Sequence, residues 1–335
     1  MKTDYPVIIV GGGQAGLSVS YCLKQKGIEH IIFEKNKIAS SWASKRWDSF
    51  CLVTPNWQCT LPGFPYQGSD PHGFMHRDEI VQYVRDYANF FQPNLQEGVG
   101  VSKVLLNNSM NSDNHSNDRY KVEPTVGSYH ANQVVIATGG YHRPKQPRMA
   151  ERLPQDIVQI HASEYQKPDA LHAGAVLVIG TGQSGCQIAE DLHLANRQVH
   201  LCVGGAPRSP REYRGKDVVD WLNQLGYYDI AIEDHPQKET VRTKTNHYVT
   251  GRGGGREIDL RQFATEGMQL YGRLQNITGH QLTLKSDLQQ NLDQADQVAE
   301  SIKRTIDKNI EENNIDAPVD PPYKPSWEPE NVPLS

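Results

Sequence analysis

The sequence predicts an α/β protein built from two parallel-sheet domains flanked by helices, and three observations carry that prediction. A short apolar β-rich run leads into a six-residue glycine turn and then into helix formers twice, from Val7 and again from Ala175. Both turns have the spacing G-x-G-x-x-G, at Gly11–Gly16 and Gly180–Gly185. Between them a third apolar run, Val134-Val135-Ile136-Ala137, closes on Thr138-Gly139-Gly140. A chain of 335 residues suits two domains better than one. The boundaries read as 1–150 and 151–275, followed by an amphipathic helical segment over 276–317 and a Pro-rich tail over 318–335.

Val7 to Val10 suits a strand buried on both faces. Gly11 to Gly16 is the turn, Leu17 to Lys26 carries helix formers, Gly27 stops the helix, and Ile31-Ile32-Phe33 is the next strand. Ile80, Val81, Val84, Tyr87 and Phe91 recur at three- and four-residue spacing, which predicts a helix over Asp78–Phe91. Val99–Leu106 and Arg119–Val126 read as strands joined by a surface loop, 107–118, rich in Asn, Ser and Asp. Val134–Ala137 reads as a buried strand, Arg143–Pro154 as a connector, and Ala175–Val203 as a second strand–turn–helix–strand unit. A short helix starts near Asp259. From Asp287 to Asn313, residues such as Leu288, Leu292, Ala295, Ala299, Ile302, Ile306 and Ile310 keep one face apolar. The last 18 residues hold six prolines and suit neither helix nor central strand.

The composition is 37% hydrophobic and 22% charged, which is that of a globular chain. A net charge of −5 disfavours a general nucleic-acid or anionic-membrane surface. No stretch approaches the ~18 apolar residues of a spanning helix, and the run at Val7 is too short for a signal peptide. Cys22, Cys51, Cys59, Cys186 and Cys202 form no CxxC or CxxxxC pair and no cluster with histidines. A disulfide scaffold, a zinc site and a dithiol reductase are therefore disfavoured, no metal is expected, and the cytosol is the default compartment.

Each part of the first turn has a physical use. Gly11 permits the tight turn, Gly13 lets a pyrophosphate approach the backbone, and Gly16 lets the helix pack on the strand. Gln14 and Ala15 sit at the helix N-terminus, whose free N–H groups and positive dipole favour phosphate. Glu34, 18 residues past Gly16, would accept hydrogen bonds from ribose hydroxyls. Gly180, Gly182, Gln183, Ser184 and Gly185 repeat the design, but 18 residues past Gly185 stands Val203. A site without that carboxylate does not repel a 2′-phosphate, and Arg208, Arg211 or Arg214 could pair with one. These arginines read equally as a solvated basic loop. Two Rossmann-like dinucleotide-binding units, only the first with a ribose acid, predict FAD at the first and NADPH, in preference to NADH, at the second.

The order GGGQAG, Glu34, VVIATGG and GTGQSG resembles the two-dinucleotide-binding flavoproteins, and among them the flavin-containing monooxygenase family. Trp42–Tyr66, ending in an LPG-x-P turn, and the helix after Phe74 are similar to the same family, in particular to a bacterial subgroup of flavin-dependent oxidoreductases accompanying nitrilase-type gene clusters. The similarity spans Pro6 to about Leu274. It implies FAD contacts at Gly11, Gly13, Gln14, Gly16 and Glu34, with Lys35, Trp42 and Arg46 beside them, and puts Thr138 and Gly139 at the link between the two cofactor domains. Trp42 reads alternatively as a core aromatic. The family stretch F-x-G-x-x-x-H-x-x-x-Y/F is half present: His161 and Tyr165 match, while Gln155 and Ile157 replace the Phe and Gly. His161 reads as a hinge or interface histidine rather than a base.

The resemblance implies an NADPH-dependent monooxygenase in which reduced FAD carries O₂ as a C4a-peroxide to a small nitrogen or sulfur nucleophile. Asn56 is the candidate polar group near C4a, and its alternative is a turn asparagine. The basic run Arg242–Arg256, with Gly251 and Gly253–Gly255, reads as a mobile loop near the nicotinamide or as plain surface. Two further readings stand beside the first: an NAD(P)H:acceptor oxidoreductase or oxidase, and a truncated nucleotide-binding remnant, since the family's second ATG-like turn is not found after the second domain.

Overall fold

The computed structural model describes residues 2–106, 119–141 and 143–330, so the loop read over 107–118 lies outside the described residues. The chain divides into two compact units. One comprises Met1–Trp47 with Asn56–Lys145, and the other Asp48–Pro55 with Gln146–Ser335. The octapeptide 48–55, early in the chain, thus belongs to the later unit. Asp48 N–H donates to the Gln166 carbonyl (2.8 Å), and Ser49 Oγ donates to Asp191 Oδ1 (2.5 Å).

The first unit is built around β1 (Asp4–Val10), α1 (Gln14–Gln25) and β2 (His30–Glu34). α2 (Ser40–Ser44) and α3 (Arg77–Phe91) follow, then β3 (Leu95–Glu97), β4 (Val101–Leu106), β5 (Tyr120–Pro124) and β6 (Tyr129–Ile136). Its described strands form one sheet in the order β3-β2-β1-β6-β5-β4, parallel from β3 through β6 and antiparallel from β6 to β4. α1 ends as its sequence dictates. Gly27 takes φ +64°, its N–H reaches the Lys24 carbonyl (3.0 Å), and Ile28 N–H reaches the Leu23 carbonyl (3.0 Å), which is a Schellman stop. The apolar stripe read for α3 is the buried one: Ile80 is buried, and Val81, Val84, Tyr87 and Phe91 pack with Ile9, Leu17 and Leu61. Leu61–Phe64 is a reciprocally bonded tight turn with Pro62 second and Gly63 at φ +70°. The Tyr83 hydroxyl sits 2.7 Å from both the Cys59 and Phe64 carbonyls and so fastens that turn to α3.

In the second unit β7 (Val176–Ile179), α4 (Gln183–Leu194) and β8 (Val199–Cys202) form the core unit. After them come the small hairpin β9 (Glu212–Tyr213) and β10 (Lys216–Asp217), α5 (Val218–Gln224), α6 (Leu260–Thr265), β11 (Gln269–Tyr271), the hairpin β12 (Leu274–Thr278) and β13 (Gln281–Leu284), and α7 (Leu288–Glu312). β11, β8 and β7 make a parallel sheet in that order. The amphipathic stripe of α7 turns inward, where Ile306 and Ile310 meet Val218 and Trp221 of α5.

The run Val134–Ala137, read as a buried strand, and the strand before the second turn each have one side unpaired among the described residues. The β6 residues Gln133–Ile136 pair with β1 on one side, while among the described residues β5 pairs only as far as Ala131, and Ile136 is 62% exposed. β7 pairs only with β8 among the described residues, leaving Leu177 and Ile179 exposed. The apolar composition that suits a doubly covered strand is present at both, and the covering element is not among the described residues.

The described part of the tail, 318–330, is no loose linker. Arg214 donates to the Pro318 carbonyl (2.9 Å), Tyr323 donates to Asp259 Oδ2 (3.0 Å), and Arg261 donates to the Trp327 carbonyl (2.8 Å) and Glu328 (2.6 Å). Its prolines give it no regular element, and its carbonyls and acids are held by arginines instead.

Candidate functional site

The two glycine turns are copies at a constant offset of 169 residues. β1 pairs Val10 with Phe33, and β7 pairs Ile179 with Cys202. Gly11 N–H donates to the Phe33 carbonyl (2.8 Å), and Gly180 N–H to the Cys202 carbonyl (3.0 Å). α1 and α4 are both twelve residues long and start at Gln14 and Gln183. Even the helix stop recurs, with Asn196 in the left-handed conformation (φ +58°) where α1 has Gly27. A single offset through strand, turn, helix and stop means that each position from Val10 to Phe33 has a defined counterpart between Ile179 and Cys202.

Close approach makes the third glycine obligatory in both turns. A Cβ on Gly16 would lie 1.9 Å from the Gly11 carbonyl oxygen, and one on Gly185 would lie 2.0 Å from that of Gly180. The middle glycines differ in kind. A Cβ on Gly13 or Gly182 meets nothing within 4 Å. Both are helix N-caps in extended conformation without a side-chain cap, and neither helix has an acid in its first turn. The free N–H groups and positive end of each helix therefore face open space, which is the cradle an anionic pyrophosphate requires. Gly13, Gln14, Ala15 and Ser184 are exposed, whereas the Gln183 side chain is engaged on the Val249 carbonyl.

Around the first turn the structure gathers most of the residues that sequence singles out. Glu34 is half-buried. Its Oε2 accepts from Gly12 N–H (2.7 Å) and its Oε1 from Asn36 N–H (2.8 Å), so the carboxylate is held at the turn with lone pairs left for a ribose diol. Ala137 and Thr138 lie against the turn, since a Cβ on Gly11 would come 2.4 Å from the Ala137 oxygen and 3.2 Å from Thr138 Cα. Gly139 and Gly140 are exposed beside them, with nothing within 4 Å of an added Cβ. The Arg46 guanidinium stacks 5.2 Å over the Trp42 ring, and burial lowers its pKa. The residues present therefore fit FAD: an open cradle for the phosphates, an acid for the ribose, and backbone with no side chain in the way.

Past Glu34 an open cleft is lined by Asn36, Lys37, Ser40, Lys45 and Glu97. Lys37 Nζ donates to Glu97 Oε2 (2.8 Å) and Ile38 N–H to its Oε1 (2.7 Å). Lys35 lies along the same stretch, its stem against Gly100. Sequence reading passed over this cleft because Glu97 lies on the three-residue strand β3, too short to register as a period.

Three sequence expectations are corrected here. Arg208 and Arg211, expected to meet a 2′-phosphate, are buried to 1% and 3% exposure. Arg208 is paired with Glu257 and Asp296 (2.8 Å) and lies 4.5 Å under the Tyr323 ring. Arg211 is bound to Asp217 (2.6 Å) and to the Val53 carbonyl (2.8 Å). A buried guanidinium is stable only when paired, and these partners already supply the pairing. Arg214, the remaining candidate, pairs with Asp307 (2.8 Å). Asn56 is the turn asparagine, not a catalytic amide. It is 4% exposed, its Oδ1 accepts from Met75 N–H (2.9 Å) and its Nδ2 donates to the Asp70 carbonyl (2.9 Å), clasping the 70–75 loop.

The glycine loop of the basic run is tethered, the third correction. Arg252 pairs with Asp191 (2.5 Å) and Arg256 with Glu190 (2.7 Å), both on α4. Asp191 also accepts from Ser49 and from the Tyr165 hydroxyl (2.6 Å). Burial, then the Asp191 carboxylate, push the Tyr165 phenol far up, so Tyr165 remains a neutral donor. His161 folds onto its own loop, Nδ1 accepting from Ser163 N–H (3.1 Å).

A family model described as pyridine nucleotide-disulphide oxidoreductase matches residues 8–298. A CzcO-like oxidoreductase of Geobacillus kaustophilus is 38% identical over 234 residues, covering 69% of this chain and 64% of that protein. Indole-3-pyruvate monooxygenase YUCCA4 of Oryza sativa subsp. japonica is 30% identical, covering 63% of this chain and 51% of that one. The chain thus spans less than two thirds of the length of these relatives. Among solved structures, a flavin-containing monooxygenase from Stenotrophomonas maltophilia gives a TM-score of 0.54 at 18% identity, covering 92% of this chain and 99% of that one. The bacillithiol disulfide reductase Bdr of Bacillus cereus gives 0.55 at 18% identity, covering 85% and 73%. Those two likenesses are of fold.

Proposed function

The chain belongs to the pyridine nucleotide-disulphide oxidoreductase family, and on that premise we propose that it is a monooxygenase-like flavin-dependent oxidoreductase with FAD at the first turn and NADPH at the second. The observation that carries this reading is the copied turn–helix unit at a constant offset, with Glu34 in the first copy and Val203 in the second. FAD, when bound, accepts a hydride from reduced nicotinamide and delivers electrons to O₂ or another acceptor.

The chain's own residues bind and orient. The α1 N-terminus offsets the pyrophosphate charge, Glu34 accepts from the ribose hydroxyls, and the stacked Trp42–Arg46 pair gives a flat, cationic wall. Asp191, through Ser49, Tyr165 and Arg252, holds together three segments of the second unit. The five cysteines form no CxxC or CxxxxC pair, so this reading gives the chain no active-site dithiol. The family's name therefore does not extend to disulfide chemistry in this reading.

The finer proposal is transfer of one oxygen atom from O₂ to a small substrate bearing a nucleophilic nitrogen or sulfur, in the cytosol. Its support is the monooxygenase likeness together with a cofactor cradle at the first turn. A second reading is an NAD(P)H:acceptor oxidoreductase or oxidase, which uses the same hydride step and makes no oxygenated product. An uncovered flavin loses its electrons to O₂ as hydrogen peroxide. FAD-loaded protein supplied with NADPH, O₂ and amine or sulfide probes separates the two. An oxygenated product matching the NADPH consumed supports oxygen transfer, whereas stoichiometric hydrogen peroxide with no product supports the oxidase.

A further inference from the structure

We propose that the loop 249–256 is a fixed wall of the dinucleotide site at the second turn, and that Arg252 and Arg256 are positioning residues that pin it to α4. This rests on the reading that the second turn holds a nicotinamide dinucleotide.

Comparing the two helices shows what the second copy adds. Gln14, the first residue of α1, is exposed, whereas its counterpart Gln183 donates from Nε2 to the Val249 carbonyl. Tyr21 and Cys22 of α1 correspond to Glu190 and Asp191 of α4, which are 2% and 3% exposed. Adjacent buried carboxylates are costly unless each is paired. Both are paired from the loop, Glu190 by Arg256 (2.7 Å) and Asp191 by Arg252 (2.5 Å), 66 and 61 positions further along the chain. The helix that opens the second turn therefore carries three contacts to one distant segment, at Gln183, Glu190 and Asp191.

The loop is closed on itself as well. Thr250 and Arg256 exchange backbone hydrogen bonds (3.4 and 3.3 Å), and Thr250 Oγ1 accepts from Arg252 N–H (3.1 Å). Gly253, Gly254 and Gly255 make the turn between the arginines at positive φ (63°, 84° and 94°). Its entry is fixed too: Tyr248 N–H donates to the Pro207 carbonyl (2.9 Å), and the Tyr248 carbonyl accepts from Ser209 N–H (3.3 Å). The loop thus joins the chain leaving β8 to the first residue of α4, where the open helix N-terminus receives phosphate. Asp191 is braced in turn by Ser49 (2.5 Å) and Tyr165 (2.6 Å). A wall already held in place spares binding the entropy of ordering it, and this is how the arginines act on the dinucleotide: their guanidinium groups engage the carboxylates, and the loop meets the ligand.

Calorimetric titration of the full chain with NADP⁺ and with FAD, together with amide hydrogen exchange over 249–256, tests this without turnover. In the parent, NADP⁺ is expected to slow exchange over 249–256. Arg252→Ala is expected to speed that exchange and to weaken NADP⁺ about tenfold, with FAD within about twofold of the parent and Arg252→Lys recovering most of the loss. A purely structural role would lower both affinities together. Gln183→Ala releases the loop at Val249 and leaves both acids paired, so it carries the same expectation should Arg252→Ala fail to fold. NADP⁺ that binds these variants as it binds the parent, or that leaves exchange over 249–256 unchanged in the parent, overturns the inference alone. NADP⁺ that does not bind the parent overturns it together with the reading beneath it.

Discussion

Replacing Gly13 or Gly16 with alanine separates a glycine kept for the fold from one kept for the ligand. In Gly16→Ala the new Cβ lies 1.9 Å from the Gly11 oxygen, against an ordinary C···O contact of about 3.3 Å. α1 must move from β1 by more than an ångström, and such overpacking costs about 1–3 kcal/mol. In Gly13→Ala the backbone (φ −79°, ψ −172°) already suits alanine and nothing lies within 4 Å. That variant should unfold within about 1 kcal/mol of the parent, because alanine restricts the unfolded chain but suits the N-cap less well than glycine. Its methyl group, however, occupies the approach of the pyrophosphate. Losing one charge-assisted hydrogen bond there costs about 1.5–3 kcal/mol, or about ten- to a hundredfold in affinity. Thermal unfolding by circular dichroism, together with FAD titration followed by flavin fluorescence, reads both quantities. Gly13→Ala that binds FAD like the parent, or that unfolds as easily as Gly16→Ala, would refute the assignment of the first turn.

Three other outcomes are expected. Arg208→Ala should cost about 2–3 kcal/mol in urea unfolding, because Glu257, Asp259 and Asp296 lose a shared buried cation and are themselves only partly exposed; a change below about 0.5 kcal/mol would contradict the structural role given to it. Thiol labelling of the native protein near neutral pH should show one fast site, Cys22, and Cys22→Ser should abolish it. Burial pushes Cys59 and Cys202 up to about 11 and holds Cys186 well above its usual range, leaving little thiolate. The Lys37 ammonium and the Ile38 N–H hold Glu97 below its ordinary 4.5 against the opposing effect of burial. A depressed carboxylate stabilises the fold above its unfolded pKa and loses that contribution as pH falls below it. The stability difference between about pH 7 and about pH 3 should therefore narrow in Glu97→Gln, and an unchanged difference would show that the Lys37 contact contributes nothing.

The parts legible in the sequence are those governed by local period. The strand–turn–helix–strand units, the buried stripes of α3 and α7 and the glycine spacing follow from neighbours within about seven residues. The ends of the fold were legible for the same reason: Gly27 stops α1 by its own backbone freedom. Roles set by distant partners were not. Arg208 reads as a free basic residue until Glu257, 49 positions on, and Asp296, further still, fold around it. Asn56 offers a polar amide in sequence, yet Asp70 and Met75 consume it. The runs Val134–Ala137 and Val176–Ile179 have the composition of covered strands, and composition does not tell which edge a neighbour fills. β3 and the hairpin of β12 with β13 are short enough to leave no periodic trace, so the cleft at Glu97 went unseen.

The account stands on two dinucleotides exchanging electrons within this one chain. Protein reconstituted with FAD and titrated with NADPH in the absence of oxygen tests it most directly, by the visible absorbance of the flavin. Bleaching complete at one equivalent, and reversed by admitting air, is the predicted result. A flavin that stays yellow while calorimetry shows the nicotinamide cofactor bound would contradict the account.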